Sequence, residues 1–250
     1  MIALLAIVLA QTPTTANLPA TGIAIDVLRP SFRGSVDRSL ISAAAYLSGR
    51  APIGRAHLLF EVPFAHQDTE FSGSSTMVGN PYVGIELAAA TGVSAALGVR
   101  LPAVGQEDEA SELGLYADLS RAAAFVPDIA TLQGLIRYRT QSAEGYTVDI
   151  SGGPALWLAT EEGDDTQVVL HHQLSAGYRG RSVWVAAGIS GLSLLSESND
   201  DRTVLELNAS LGATRGGVRP AIHFILPISE DYRSTVSYVL GFGVAFTRDN

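Results

Sequence analysis

In the segment Val204-Leu-Glu-Leu-Asn-Ala-Ser-Leu211, Leu205, Leu207, Ala209 and Leu211 share one face of an extended chain, while Glu206, Asn208 and Ser210 share the other. The same two-residue period, not the 3.6 of a helix, recurs along the whole chain. Leu58, Phe60, Val62 and Phe64 alternate with His57, Leu59, Glu61 and Pro63. Val83, Ile85, Leu87 and Ala89 oppose Tyr82, Gly84, Glu86 and Ala88, and Ala95, Leu97, Val99 and Leu101 oppose Ser94, Ala96, Gly98, Arg100 and Pro102. Near the end, Val236, Tyr238, Leu240, Phe242, Val244 and Phe246 oppose Ser237, Gly241, Gly243 and Ala245. A chain patterned this way folds into many strands.

The 250 residues are 47% hydrophobic and only 16% charged, against about 25% charged in an ordinary soluble domain. Beyond the first ten residues, Gly, Ser, Arg, Asp or Glu interrupts every apolar run well short of the ~20 residues a membrane helix needs. The apolar pieces are instead about ten residues long, the length of a tilted strand crossing a bilayer. Net charge is −9 and every one of the 16 basic residues is Arg; no basic patch is dense enough for nucleic acid. With no Cys, disulfides, thiolate metal sites and Cys nucleophiles are all excluded.

Strands are expected near 23–33, 39–49, 55–65, 80–90, 93–103, 131–141, 145–160, 167–179, 182–195, 203–214, 218–228 and 235–247. Their joins alternate. One set is short and Gly-rich: Arg50-Ala-Pro-Ile-Gly54, Ala90-Thr-Gly92, Ser142-Ala-Glu-Gly145, Arg179-Gly-Arg181 and Arg215-Gly-Gly217. The other set is mostly longer and more polar: Arg33 to Arg38, His66 to Gly79, Val104 to Ala130, Glu161 to Asp165, Ser196 to Arg202 and Ser229 to Ser234. Short turns on one rim and long loops on the other are the mark of an outer-membrane barrel, with the short turns periplasmic. A strand at Glu112 to Asp118 would break this alternation, so that stretch belongs to a loop.

The expected fold is therefore all-β: a transmembrane, antiparallel, up-and-down barrel of about twelve strands. A soluble barrel of that size would enclose more space than Leu and Val can fill. An apolar face turned to lipid leaves the polar set facing a wet lumen, and closure satisfies every backbone group. A β-sandwich is the soluble alternative. Tyr46, Phe60, Phe64, Trp157, Tyr178, Trp184, Tyr232, Tyr238 and Phe246 fall mainly toward strand ends, as interfacial girdles do.

At the N-terminus, the apolar run Met1 to Ala10 precedes the polar run Gln11 to Asn17, with small-residue exits at Ala10 and Ala16. It reads as a secretory signal over residues 1–16, leaving residues 17–250 as one barrel domain, although no Arg or Lys precedes the apolar run. A buried first strand is the alternative.

The face expected to line the lumen carries Asp26, Glu61, Glu86, Arg100, Arg137, Arg139, Asp149, His171, Arg179, Glu206, Arg219 and His223. Opposite charges there can pair across a water-filled bore, either as a selective constriction or as a structural ladder that plugs it. In the loop from Val104 to Ala130, a short helix is expected over Asp118 to Val126, with Asp118 or Ser120 as N-cap and Pro127 after its end. This loop is either a surface cap or a plug or gate that carries Asp118, Arg121 and Phe125 into the bore.

Catalysis is not expected. His171-His172 and Ser175 are the only dense candidates, adjacent strand residues point to opposite faces, and no Gly-x-Ser-x-Gly elbow occurs. His57, His66, His171, His172 and His223 lack metal-ligand spacing, and the acidic loops Glu161 to Asp165 and Glu197 to Asp201 lack that of an EF-hand. No metal or other cofactor is expected.

Several strings resemble a family of outer-membrane barrels described as MetA-pathway-of-phenol-degradation proteins or transporters. They are Gly79-Asn-Pro-Tyr-Val-Gly-Ile-Glu86, Val99-Arg-Leu-Pro102, Arg121-Ala-Ala-Ala-Phe-Val-Pro-Asp128, Val218-Arg-Pro220, Ile225-Leu-Pro227 and Ser237-Tyr-Val-Leu-Gly-Phe-Gly243. The resemblance implies an outer-membrane protein and a passive channel for small aromatic or hydrophobic compounds. The alternatives are a structural or surface-interaction barrel without transport and, less favoured, an outer-membrane lipid hydrolase. The closing strand, ending in Phe246 before Thr247 to Asn250, also resembles the signal read by barrel-assembly machinery. The partners expected are that machinery, outer-membrane lipid and lipopolysaccharide, and small solutes.

Overall fold

Alternating sequence becomes paired strand throughout the computed structural model, which describes residues 21–34, 41–69, 73–88, 92–105, 109–161, 165–196 and 203–247. The expected signal segment lies outside these residues, as does the acidic run Glu197 to Asp201. The strands are β1 (Gly22–Phe32), β2 (Ala43–Ile53), β3 (Ala56–Thr69), β4 (Gly73–Val78), β5 (Tyr82–Ala88), β6 (Val93–Arg100), β7 (Ile129–Gln141), β8 (Tyr146–Ala159), β9 (Gln167–Arg179), β10 (Val183–Leu194), β11 (Thr203–Ala213), β12 (Val218–Pro227) and β13 (Val236–Thr247). All pairings are antiparallel, and β13 returns to pair with β1 from Gly22 opposite Thr247 to Phe32 opposite Val236. The result is a closed twelve-stranded barrel, with β4 outside the count. Closure leaves no free edge along the wall.

Four details differ from the expectation. Within the loop His66 to Gly79, β4 pairs with the outer half of β3, Phe64 opposite Val78 to Thr69 opposite Gly73. It continues the line of β5 after a break at Gly79-Asn80-Pro81, where one extra residue is absorbed, because Tyr82 already opposes Glu61. Second, β2 spans 43–53 rather than 39–49, and its turn is Gly54-Arg55, not the five residues from Arg50. Gly54 takes φ 61°, the left-handed conformation such a turn needs, and Pro52 is tolerated because β2 has by then outrun β1, whose first residue pairs with Arg50. Third, the long loop holds two helical pieces, α1 (Glu109–Ala117) and a 3-10 turn (Leu119–Ala124), instead of one helix over Asp118 to Val126. A further short helix, α2 (Glu230–Thr235), sits between β12 and β13. Fourth, Val236 is fully buried rather than outward, since a register shift at Ser31/Phe32 reverses the parity of the strand end.

Elsewhere the two faces separate as the period demands. Ile23, Ile25 and Val27 of β1, Val83, Ile85 and Leu87 of β5, and Leu207 and Leu211 of β11 all point outward and are exposed. Such a band is stable only against lipid. Tyr138, Tyr146, Tyr178, Tyr238 and Phe246 share this outer face, with the rings of Tyr146 and Tyr178 edge-on at 5.6 Å. Tyr46, Trp184 and Tyr232, read from sequence as girdle residues, are instead buried within the barrel and its cap.

A further irregularity lies between β7 and β8. Pairing of β7 with β8 stops after Gln133 opposite Ala155 and resumes, in unchanged register, at Ile136 opposite Gly152. The skipped stretch contains Pro154, which has no amide hydrogen to donate.

Candidate functional site

The loop between β6 and β7 turns inward and fills the barrel's wide mouth. Asp118 initiates the 3-10 turn, its carboxylate accepting from the Ser120 amide at 2.9 Å and the Ser120 hydroxyl at 2.5 Å. That cap aims Arg121, only 1% exposed, at the wall. Its Nη2 lies 3.2 Å from Asp26 Oδ2 on β1, and its Nε 3.4 Å from both Glu61 Oε2 on β3 and Asp118 Oδ2. The guanidinium also rests over the Tyr46 ring on β2, 4.1 Å from the centroid. Burial works against the Arg121 charge, but Glu61, Asp118 and Asp26 more than offset it and hold its pKa above the ordinary value. Burial raises Asp118 above the usual aspartate range despite Arg121 and Ser120.

Behind this polar contact is an apolar one. Phe125, 1% exposed, stands edge-on to Tyr46 with centroids 5.9 Å apart. Its ring occupies the space that a Cβ on Gly114 of α1 would need and crowds Gly79 of the wall. Leu113, Ala117 and Leu119 join the same cluster, and Gln67 on β3 donates to Glu109 at the start of α1 at 2.8 Å. On the far side of the bore the 3-10 turn packs against β10, whose Ser190 donates to the Glu206 carboxylate of β11 at 2.8 Å. The plug therefore spans the bore from wall to wall. Over it, Tyr232 of α2 stacks on Tyr116 at 6.0 Å and donates to the Tyr116 carbonyl at 2.9 Å; burial raises the Tyr232 hydroxyl well above its ordinary pKa.

Asn80, in the break between β4 and β5, fastens both ends of the plug. Its Nδ2 donates to the carbonyls of Ala123 and Val126 at 3.0 and 2.8 Å, and its Oδ1 accepts from the amides of Ala103 and Val104 at 2.7 and 3.0 Å. Its own amide donates to Ala124 at 2.6 Å, and its carbonyl accepts from Arg100 at 3.0 Å. Sequence reasoning did not single out Asn80. The available signal was Gly79-Asn80-Pro81 itself, a strand-breaking triplet between two alternating runs.

The structure puts Asp26, Glu61, Arg100, Glu206, His171 and His223 at plug level on the inward face. Arg100 Nη2 reaches Glu61 Oε1 at 2.6 Å, because Glu61, Tyr82 and Arg100 lie in register across β3, β5 and β6. His223 Nε2 is 3.6 Å from Asp26, and its Nδ1 is 2.9 Å from the Ser210 hydroxyl. His171 is buried with no partner for either ring nitrogen among the described residues, and His172 points the other way. Nearer the turns, Arg50 pairs with Glu86 at 2.8 Å, and Arg137 and Arg139 both reach Asp149, at 2.5 and 2.6 Å. Arg179 and Arg219 sit at the same rim and form no ion pair among the described residues. Asp26, Arg137, Asp149, Ser175, Trp184 and Glu206 line a cavity of about 120 Å³ below the plug. A smaller one of about 30 Å³ adjoins it through Asp26, Trp184 and His223. Among the described residues no group of three or more His, Asp or Glu is placed to hold a metal ion.

No protein-family model matches the chain, and no curated protein matches it in sequence. Solved structures do match. The β domain of the Bordetella autotransporter BrkA superposes with a TM-score of 0.53 at 13% identity, covering 92% of this chain and 100% of that one. LpxR from Salmonella typhimurium superposes with a TM-score of 0.53 at 10% identity, over 91% and 100%. At such identities the likeness concerns architecture alone: the chain has the fold of a bacterial outer-membrane β-barrel.

Proposed function

We propose that the chain is a passive outer-membrane channel for small compounds whose bore is closed from the loop side by the plug and opens when Arg121 leaves its carboxylates. One observation carries this reading: the plug is held at mid-wall by ion pairs to Asp26 and Glu61, above a polar cavity lined by facing strands. Such polar contacts can be exchanged for water entering from the cavity below, which gives the closure a route to open. The outward apolar band and twelve-stranded closure support residence in the outer membrane, reached by way of an N-terminal signal and assembly machinery, with lipopolysaccharide and lipid around the wall. The resemblance of Gly79 to Glu86 and Arg121 to Asp128 to phenol-pathway transporters supports small aromatic or hydrophobic cargo.

A second reading, a structural or surface-interaction barrel, draws on the Asn80 and Phe125 contacts, which tie the plug as firmly as a core. Planar-bilayer recording separates the two. The channel reading expects low or intermittent conductance in the parent protein and sustained conductance in Arg121→Met. Electrical silence in both, with no flux of a labelled aromatic solute, overturns it in favour of the second.

A further inference from the structure

The charge balance of the bore changes along its length. At plug level each guanidinium has carboxylate partners: Glu61 holds Arg100, and Asp26, Glu61 and Asp118 face Arg121. At the turn rim that matching is lost, because Arg137 and Arg139 share the one carboxylate of Asp149, while Arg179 and Arg219 have none. A protein of net charge −9 thus concentrates uncompensated cations in one small volume.

Arg179 and Arg219 line the smaller cavity together with Asp26, Trp184, Ala221 and His223, and Trp184 also lines the adjoining larger one, where there is room for a ring. Trp184 is the register neighbour of Arg179 on β10, and its indole lies over Gly212 of β11, where a Cβ would strike it. Gly212 opposes Ala221 in turn, so the wall beside the indole is built of small residues. Arg219 Nε is enclosed without a hydrogen-bond partner. Two forked cationic donors beside an aromatic face and a shallow wall match a planar ring bearing a carboxylate.

We propose that this turn-rim vestibule binds small aromatic carboxylates, held by Arg179 and Arg219 with the ring against Trp184. The inference rests on the channel reading and narrows its cargo from neutral aromatic compounds to aromatic anions. Its test does not depend on conduction.

The chain has two tryptophans, Trp157 and Trp184, so Trp157→Phe leaves the vestibule indole as sole reporter. In detergent-solubilised full-length protein, benzoate should quench Trp184 saturably, more weakly as salt rises. Benzyl alcohol and acetate should each bind at least about tenfold more weakly, since each lacks one half of the recognition. Arg179→Ser with Arg219→Ser should weaken benzoate by about tenfold or more, and the double Lys variant should recover part of the loss, a control for folding. Equal binding of benzyl alcohol, equal binding of acetate, or no saturable quenching would each overturn the proposal. A barrel that binds benzoate but never conducts would instead overturn the channel reading alone.

Discussion

The two halves of this barrel's interior solve opposite problems with the same residue types. In the loop-side half, charge is dry and matched: Arg121 has three carboxylates within 3.4 Å, and Asn80 places every polar atom of its side chain on the plug backbone. In the turn-side half, charge borders two cavities and is unmatched, with Asp149 shared by two arginines and two more unpaired. Position within the wall, not composition, decides whether an arginine seals or solicits. The seal should therefore be sensitive to single substitutions in stability, and the vestibule in selectivity.

The sharpest way to break the contrast is Arg121→Ala, which leaves buried carboxylates without their cation. It should destabilise the closed plug by about 3–5 kcal/mol. Because the chain lacks Cys, a single Ala124→Cys label would report this, reacting with a membrane-impermeant maleimide in the Arg121 variant and not in the parent. Asn80→Ala should cost about 1–3 kcal/mol for each backbone group left buried and unpaired, seen as faster amide exchange at Ala103 and Val104, whose amides donate to its side chain. Gly114→Ala drives a methyl into the Phe125 ring and should cost about 1–3 kcal/mol. Adding Phe125→Leu should recover part of that, a coupling a double-mutant cycle reads directly. The smallest stability effect belongs to the other half: Asp149→Asn keeps a side-chain oxygen to accept from Arg137 and Arg139, and should change stability by about 1 kcal/mol while shifting reversal potential toward anions. A large loss of stability there, or an unchanged potential, would erase the distinction between the halves.

Much of the wall was legible because lipid and lumen impose opposite demands on successive residues. The alternation of Leu205 to Leu211 and the alternation of short with long joins left little freedom for strand count. What could not be read depended on packing between segments distant in sequence. Tyr46 looks like an interfacial aromatic until Arg121 and Phe125, some eighty residues on, are laid against it. Asn80 looks like a turn residue because its partners, Ala103 and Val126, belong to a loop without periodicity. α1 escaped notice for a related reason: Glu109-Ala-Ser-Glu-Leu-Gly-Leu-Tyr-Ala117 has only a weakly amphipathic pattern, since it is enclosed by walls on several sides. The shifted second strand shows a local rule overridden: Arg50-Ala-Pro-Ile resembles a turn, yet pairing with β3 carries it as strand.

The lapse between β7 and β8 has a mechanical meaning. In a closed ring of strands no member can move without straining both of its neighbours, so thermal fluctuation collects where the fewest bonds resist it. One such place is the stretch where Gly134 and Leu135 face Gly153 and Pro154. A hoop stretches where a link is missing, and the amides of Gly134 and Leu135 should trade hydrogen for deuterium before those of the paired residues on either side of them.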